Sequence, residues 1–229
     1  MHVYSFYKFL ELKDVSELRE LIFKSLDKLD IKGTILLSQE GVNANISQDE
    51  SLLIKAMECI NKHIKISNVL INKSISNGIA FQKLKVKVKD EIIKFHYPIK
   101  EKSSKNLKTL NPKDWDSLLN EDVQVIDMRN SFEYSLGTFE EAIDLGLINF
   151  TDLKDKKRTL NKLDKKKKTA IFCTGGIRCE KAGLYLNDLG FDDVYQLNGG
   201  IINYLNLSDD KNKWKGDCFV FDDRILIKN

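Results

Sequence analysis

The sequence has few of the residues that build metal sites and disulfide frameworks. Its 229 residues include four cysteines, three histidines and two prolines. The histidines (His2, His63 and His96) are scattered, and Cys173 and Cys179 do not have the Cys-x-x-Cys spacing of zinc ligands. A zinc site is therefore not expected. Without a secretory signal, the cysteines are expected to be thiols.

Long apolar runs and a secretory leader are also missing. No run of about 18 apolar residues is present, so no membrane-spanning helix is expected. The amino terminus, MHVYSFYKFLELKD, lacks a basic segment followed by an apolar one. The net charge is +3, and this total does not indicate a nucleic-acid-binding protein. These features predict a cytoplasmic protein that is not embedded in a membrane.

Sequence signatures of cofactor binding are absent as well. The chain shows no two-histidine-one-carboxylate iron site at recognisable spacing. It also shows no glycine fingerprint for a dinucleotide and no flavin motif. The sequence therefore predicts no metal and identifies no organic cofactor, electron donor or protein partner.

The first 95 residues show strand and helix patterns in the order β-α-β-β-α-β. YSFYKF has strand character, and DVSELRELIFKSLDKLD has apolar residues at helical spacing. KGTILLSQEGVNANIS indicates two strands with a turn at Gly41, and DESLLIKAMECINKHI indicates a second helix. KLKVKVKDEIIKF is a long alternating strand pattern. This order predicts a ferredoxin-like (split βαβ), acylphosphatase-like α+β domain over residues 1–95.

The second half has the pattern of a parallel α/β domain. Residues 96–112 are polar and lysine-rich, hold both prolines, and are interpreted as a linker. Short apolar strand patterns then alternate with helical patterns: VQVIDMRN, AIFCTG and DVYQLNGG with RCEKAGLYLNDLG and IINYLNLS. Such alternation indicates a parallel sheet covered by helices. We therefore predict an α/β domain with a C-terminal tail over residues 113–229.

The strongest chemical signal is the stretch AIFCTGGIRCEKAGLYL, residues 170–186. A strand pattern ends at Cys173 and a helix pattern begins near Arg178. The N–H groups of the loop and helix start would form a positive nest, which lowers the pKa of a cysteine thiol. Gly175 and Gly176 let the loop curl back, and Arg178 can direct its guanidinium at an oxyanion. We favour a nucleophilic cysteine over a merely structural one.

The loop resembles the rhodanese active-site pattern Cys-x-x-Gly-x-Arg at Cys173, Gly176 and Arg178. Its cysteine and arginine are one residue closer than in tyrosine-phosphatase loops. VIDMRNSFEYSLGTFEEAI resembles the opening segment of rhodanese domains, and LNGGI resembles the segment after their active-site helix. The positions in register are Asp127, Arg129, Glu133, Tyr134, Gly137 and Ala142.

Two positions depart from the rhodanese pattern. Thr138 stands where many rhodaneses carry histidine, and Glu141 stands where glycine is usual. We place both in a surface turn and expect no effect on the chemistry.

Five separated segments narrow the resemblance: CTGGIRCEKA, KGTILLSQEGVNANIS, KLKVKVKDEI, VIDMRNSFEYSLGTF and WKGDCFVFDDR. Together they resemble the rhodanese-related tRNA uridine hydroxylase family over nearly the whole chain. The resemblance implies a tRNA partner and conversion of the wobble uridine to 5-hydroxyuridine with molecular oxygen as co-substrate. It implies that Cys173 and Arg178 are catalytic. The implied active-site loop also contains Thr174, Gly175, Gly176, Ile177 and Cys179, and the implied supporting residues are Asp127, Arg129 and Glu133.

Three functions are open at this point. In the hydroxylase interpretation, Cys173 adds to C6 of uracil, while Arg178 and the loop amides stabilise the resulting enolate. In the sulfurtransferase interpretation, Cys173 carries a persulfide and delivers sulfur to a small acceptor or tRNA. In the third, the second half is a non-catalytic module that binds a partner, which the intact Cys173 and Arg178 argue against.

The other cysteines have different expected roles. Cys179 replaces a serine that is common in rhodaneses, and it is either a second thiol beside the loop or a small apolar packing group. Cys59 is expected in the core and Cys218 in a strand, both without a functional role. Trp115 and Trp214 are expected to pack rather than to stack on bases.

A row of lysines is the candidate RNA-binding feature of the first half. Lys83, Lys85 and Lys87, followed by Lys89, fall at every second position of a strand pattern. One strand face would then carry positive charge that can follow RNA phosphates. The alternative is an edge strand that lysines protect from pairing with other chains. Asn43 and Asn45 either contact RNA or belong to a turn.

Overall fold

The computed structural model describes residues 1–97, 107–208 and 211–228. They form two compact units. The first unit comprises Met1–Lys94 and Phe221–Ile225, and the second comprises the described residues of Phe95–Val220 and Leu226–Asn229. Within the described ranges, no helix is both long and apolar enough to span a membrane.

The first unit contains the predicted ferredoxin-like arrangement and one strand more. Its elements are β1 (His2–Phe9), α1 (Val15–Asp27), β2 (Lys32–Ser38), β3 (Gly41–Gln48), α2 (Glu50–Ile64), β4 (Asn72–Ile75) and β5 (Leu84–Val88). The sheet order is β4-β1-β3-β2-β5. Neighbouring strands are antiparallel except for β2 and β5, which are parallel. The first four strands and both helices reproduce the split βαβ order.

The assignment of the last ferredoxin strand was wrong. KLKVKVKDEIIKF was predicted to supply it, but the strand in this stretch covers only Leu84–Val88 and extends the opposite edge of the sheet, beside β2. The last ferredoxin strand is β4, which has the sequence NKSI. This edge strand is short and largely polar, so it has no apolar alternation by which to recognise it. Asn43 and Asn45 lie inside β3, not in a turn.

One face of the first sheet packs against α1 and α2. The shared core includes Ile22, Leu26, Leu53, Ala56 and Ile60 from the helices and Ile35, Leu37, Val42, Ala44, Ile46 and Val86 from the strands. Side chains alternate between the two faces of a strand. Asn43, Asn45, Lys85 and Lys87 therefore lie on the face opposite the helices.

The second unit is built on a parallel sheet, as predicted. Its elements are β6 (Leu107–Leu110), α3 (Pro112–Leu118), β7 (Gln124–Asp127), α4 (Ser131–Leu136), β8 (Gly137–Phe139), β9 (Ile143–Asp144), a 3-10 helix (Phe150–Lys154), α5 (Lys157–Leu160), β10 (Thr169–Phe172), α6 (Ile177–Asp188), β11 (Val194–Leu197), α7 (Gly200–Leu207), β12 (Trp214–Gly216), β13 (Cys218–Phe219) and β14 (Leu226–Ile227). The parallel sheet has the order β6-β11-β10-β7-β9. The central strand β10 is completely buried. Two short antiparallel pairs, β12 with β8 and β13 with β14, complete the unit.

The predicted linker, residues 96–112, lies partly outside the described residues. Within it, Leu107–Leu110 form β6, which pairs with β11. The Asn111 side chain then caps α3 by accepting the Asp114 N–H at 3.0 Å. The lysine-rich composition around β6 concealed this strand. The proposed domain limits at residues 95 and 113 stay predictions.

Candidate active site

The loop from Cys173 to Gly176 leaves the carboxyl end of β10 and leads into α6. Cys173 follows the buried Phe172 directly. Gly176 precedes the helix with a φ of 98°, a left-handed conformation that favours glycine. The turn brings the Gly176 N–H to the Cys173 Sγ, with N and Sγ 3.2 Å apart. The loop therefore curls back onto the sulfur, as predicted, and the left-handed conformation falls on Gly176 and not on Gly175.

Cys173 is fully buried, yet its thiol is easily ionised. Burial by itself raises the pKa of this thiol. A hydrogen bond from the Cys179 thiol, the positive charge of Arg178 and the N–H groups of Cys179 and Arg178 outweigh burial and lower the pKa from 9.0 to about 6. Cys173 is therefore mostly a thiolate at neutral pH, which is the nucleophilic form of cysteine.

Arg178 directs its guanidinium at a buried carboxylate rather than at an open oxyanion site. Its Nη1 lies 2.6 Å from Glu133 Oε2 and its Nη2 lies 2.8 Å from Glu133 Oε1. Thr174 joins this pair, since its hydroxyl accepts from Arg178 Nη2 and donates to Glu133 Oε1, both at 3.1 Å. Arg178 here provides the charged partner that a buried carboxylate requires, and its predicted contact with an anion stays a prediction.

The pKa of Glu133 reflects this pairing. Burial raises its pKa, but hydrogen bonds and charge from Arg178, with a smaller contribution from Arg129, leave it below the ordinary value. The same pair raises the pKa of Arg178 against the effect of burial. Both side chains therefore stay charged, and a fixed positive charge remains beside Cys173.

A second buried ion pair joins Asp127 and Arg129. Arg129 Nη2 lies 2.6 Å from Asp127 Oδ2, and Arg129 Nε lies 2.9 Å from Asp127 Oδ1. Arg129 Nη2 also donates to the Gly137 carbonyl at 2.5 Å. The guanidinium carbon lies 5.4 Å from the Trp214 ring centroid and 5.7 Å from that of Phe172. Asp127 ends β7, the neighbour of β10, so this pair supports the same edge of the sheet as Cys173.

The two departures from the rhodanese pattern have different surroundings. Thr138 was predicted to lie in a surface turn, but it lies in β8. Its hydroxyl donates to Asp127 Oδ2 at 3.1 Å. It was misplaced because the pairing of β8 with β12 is not visible in the sequence. Glu141 does lie in a turn, with a φ of 58°. That left-handed conformation explains why glycine suits this position.

The segment after α7 covers the Asp127–Arg129 pair. Trp214 is buried, packs on Arg129, and pairs with Phe139 through β12 and β8. Cys218 follows and is also buried, and burial raises its thiol pKa to about 12. Trp214 was expected to pack, but its contact with a site arginine had no signal in the sequence.

N–H groups at the start of α7 hydrogen-bond the backbone carbonyls of the Cys173–Gly176 loop. The Ile201 N–H donates to the Cys173 carbonyl at 3.0 Å, and the Ile202 N–H donates to the Thr174 carbonyl at 3.1 Å. Gly200 has a φ of 64°, and a Cβ atom there would lie 2.3 Å from the Cys173 carbonyl oxygen. The LNGGI segment therefore supports the loop directly.

Cys179 lies in the first turn of α6, buried against Cys173. Its N–H donates to the Gly176 carbonyl at 3.0 Å, and a hydrogen bond from its thiol contributes to the lowered pKa of Cys173. Burial, and then the nearby Cys173, raise the pKa of Cys179 well above its ordinary value. The pair thus consists of one thiolate and one thiol. Cys59 is in the first unit, half-buried within α2.

The lysine row lies in the first unit. Lys85 and Lys87 are exposed on the edge strand β5, and Lys83 is exposed directly before it. Strand register places Lys85 in a row with Thr34, Asn45 and Ser5, and Lys87 in a row with Leu36, Asn43 and Tyr7. These rows could not be predicted, because a single sequence does not show which residues of distant strands lie opposite one another. In the described ranges, no group of three or more His, Cys, Asp or Glu side chains is arranged to hold a metal ion.

Both halves of the chain match known families. Residues 1–92 match the UPF0176 acylphosphatase like domain, and residues 111–207 match the Rhodanese-like domain. Among solved structures, a rhodanese-like domain protein from Staphylococcus aureus is 27% identical and covers 42% of this chain and 90% of its own, with a TM-score of 0.36.

Curated relatives match over nearly the full chain. The tRNA uridine(34) hydroxylase of Pelagibacter ubique is 41% identical over 230 residues, which cover 99% of this chain and 75% of the relative. The tRNA uridine(34) hydroxylase of Legionella pneumophila (strain Lens) is 38% identical over 226 residues, which cover 97% of this chain and 89% of the relative.

The Cys173 thiolate should titrate near pH 6. Its folded-state pKa is depressed, so the thiolate is present above this value and is lost as the pH falls through it. Ultraviolet thiolate absorbance of the full chain measures the midpoint, with Cys173→Ser as the blank. A midpoint at the ordinary value of 9.0 would contradict the geometry.

Gly200→Ala should destabilise the second unit and displace the loop. The matched control is Gly146→Ala, which has a similar φ of 67° but only the flexible Lys156 Nζ near the added Cβ. Both changes cost about 1–2 kcal/mol for the left-handed conformation. Overlap with the Cys173 backbone should cost Gly200→Ala about 1–3 kcal/mol more.

Denaturant unfolding followed by tryptophan fluorescence reports on the second unit, which contains Trp115 and Trp214. Equal destabilisation by Gly200→Ala and Gly146→Ala would show that Gly200 does not hold the loop.

Proposed function

The chain belongs to the tRNA uridine(34) hydroxylase family, and from this we propose that it hydroxylates the wobble uridine of tRNA to 5-hydroxyuridine with molecular oxygen. The observation that carries the chemistry is the buried Cys173 thiolate, held by loop N–H groups and the Arg178 charge. Family membership supplies the substrate. Because tRNA is used in decoding, we also propose a cytoplasmic location.

Cys173 would act by adding to C6 of the uracil ring. A bond forms between its sulfur and C6, and the C5–C6 electron pair moves onto C5 and the C4 oxygen as an enolate. C5 then becomes an electron-rich carbon that can react with oxygen. A thiolate is required for this addition, and the low pKa of Cys173 provides it at neutral pH.

Arg178 would act through its charge rather than by touching the substrate. Its two terminal nitrogens bind Glu133 and Thr174. Its positive charge stabilises the Cys173 thiolate. Arg178 is therefore a positioning residue for the nucleophile, and Glu133 fixes it in place.

The competing activity is persulfide transfer. A thiolate in this loop can also accept a sulfur atom, so the geometry of the second unit alone suits a sulfurtransferase. That reaction needs no first unit, whereas the hydroxylase relatives match both units together. Membership of that family therefore favours hydroxylation.

We also propose that tRNA contacts the face of the first sheet opposite its helices. Lys83, Lys85 and Lys87 carry positive charge at the edge of this face. The rows that continue from Lys85 and Lys87 contain the amides of Asn45 and Asn43 and the ring of Tyr7. Charged groups can bind phosphates, and amides and rings can bind bases. The Asn43 Nδ2 in this structure donates to the Ile92 carbonyl at 3.2 Å, so the row that contains Lys85 and Asn45 carries the proposal. The edge position of β5 equally suits protection against strand pairing.

Nucleoside mass spectrometry on cellular tRNA tests the activity. We expect 5-hydroxyuridine and its derivatives to disappear when the gene is deleted and to return with the wild-type chain. They should stay absent with Cys173→Ser, because serine cannot supply the thiolate, and return with Cys59→Ser, which alters a cysteine of the first unit. Unchanged hydroxylation with a fall in 2-thiouridine would instead identify a sulfurtransferase.

Replacing Lys83, Lys85 and Lys87 by Gln should weaken tRNA binding. The slope of log affinity against log salt should become shallower by about 0.7–0.9 for each phosphate that the protein no longer binds. The matched control replaces Lys24, Lys55 and Lys62 by Gln, which removes the same charge from exposed positions on α1 and α2. Affinity measured across a salt series should fall only for the first set. Equal effects in both sets would mean that the lysine row serves only to protect the edge.

A further inference from the structure

Two buried cysteines, one a thiolate and one a thiol, lie at the two ends of the loop between β10 and the first turn of α6. Cys173 and Cys179 are both fully buried. The Gly176 N–H lies 3.2 Å from the Cys173 sulfur, and the Gly176 carbonyl accepts the Cys179 N–H at 3.0 Å, so one residue links the two cysteines. A hydrogen bond from the Cys179 thiol also lowers the pKa of Cys173. The two residues flank a loop that turns at Gly176, which returns the helix start to the end of β10. Cys179 lowers the pKa of Cys173, and a second thiol at this place can also take part in redox chemistry.

The proposed reaction leaves two electrons and one oxygen atom to account for. Molecular oxygen brings two oxygen atoms, but 5-hydroxyuridine takes up only one. The other must leave as water, which requires two electrons and two protons. Two thiols that form one disulfide release two electrons and two protons.

We propose that Cys179 is a second catalytic residue and that the Cys173–Cys179 pair supplies the two electrons of each turnover. This rests on the proposed hydroxylase function. Uridine, one oxygen molecule and two thiols give 5-hydroxyuridine, one water molecule and one disulfide. A dithiol reductant then returns the pair to its starting state by thiol–disulfide exchange.

The steps balance in atoms and electrons. The Cys173 sulfur bonds to C6, and C5 then bonds to oxygen and, after taking one proton, carries a hydroperoxide. The Cys179 sulfur attacks the outer oxygen, the O–O bond breaks, and the thiol proton moves to the oxygen on C5. C5 now bears a hydroxyl, and Cys179 has become a sulfenic acid.

Release of the product completes the cycle. C5 loses its hydrogen as a proton, the S–C6 bond breaks, and the C5–C6 double bond is restored with Cys173 leaving as a thiolate. This thiolate attacks the sulfur of the Cys179 sulfenic acid, and hydroxide leaves to become water with one proton. The bond between the two sulfurs is the only lasting change in the protein.

The positions of the two sulfurs suit this sequence of steps. Once Cys173 is bonded to C6, C5 is one further bond away, so a group hydrogen-bonded to the Cys173 sulfur lies near an oxygen on C5. Both sulfurs are shielded from bulk water. A disulfide requires an S–S distance of about 2.0 Å, so the sulfurs must approach each other. The glycines at 175 and 176 lie between them and allow the loop to adjust.

A single-turnover experiment without added reductant tests the proposal. The reduced full chain is freed of small thiols, mixed anaerobically with unmodified tRNA, and then exposed to oxygen. We expect one 5-hydroxyuridine per chain at most, two titratable thiols consumed per product, and a peptide crosslinked between Cys173 and Cys179 in the mass spectrum. Further product should form only after a dithiol is added.

Variants separate the role of Cys179 from packing. Cys179→Ser keeps a hydrogen-bond donor beside Cys173 and should reduce single-turnover product to background, while tRNA binding and the addition of Cys173 to C6 remain. Cys179→Ala also removes that donor and should in addition raise the pKa of Cys173. Cys59→Ser is the control and should give wild-type yield and thiol consumption. The thiol count on the wild-type chain does not depend on whether either variant folds.

Two results would overturn the proposal, and they differ. Product formed with both thiols intact, or at wild-type yield in Cys179→Ser, would reduce Cys179 to a hydrogen-bond donor and leave the hydroxylase function standing. Absence of 5-hydroxyuridine from the wild-type chain, with or without dithiol, would overturn the proposed function and the role of Cys179 with it.

Discussion

The buried ion pair between Glu133 and Arg178 is the interaction on which the candidate active site depends. Burying two charges costs several kcal/mol for each ion, and this is offset only by close, hydrogen-bonded pairing. Here both Arg178 terminal nitrogens and both Glu133 oxygens are used, with Thr174 between them. Loss of either partner would cost about 3–5 kcal/mol. The pair ties α4 to α6 and fixes a positive charge beside Cys173.

That charge makes a fully buried thiolate possible. Burial opposes ionisation of Cys173, and no single neighbour overcomes it; the Cys179 thiol, Arg178 and the loop N–H groups do so together. The loop carbonyls are held from behind by the start of α7. Elements from three separated parts of the sequence therefore determine the ionisation state of one sulfur atom, the proposed nucleophile.

Local signals revealed the loop, and long-range pairing remained hidden. The spacing of Cys173, Gly176 and Arg178 predicted a curled loop, because these residues are close in sequence and determine the local backbone conformation. The partner of Arg178 lies 45 residues away, and nothing in the sequence reports that contact. The same holds for Thr138, whose place depends on β12, and for β4, a short polar strand that only pairing defines. The ferredoxin-like and parallel α/β architectures followed from periodicity, because many residues share that signal.

The pairing of β12 with β8 determines where the rhodanese-like half of the chain ends as a structural domain. The match to the rhodanese family ends at residue 207, but Trp214 beyond it covers the Arg129 guanidinium. A fragment cut at that limit would expose a buried ion pair to water and leave the edge of β8 open to other chains. A rhodanese-like domain transferred to another protein therefore has to include the chain as far as the end of β12, although β12 is distant in sequence from the Cys173–Gly176 loop.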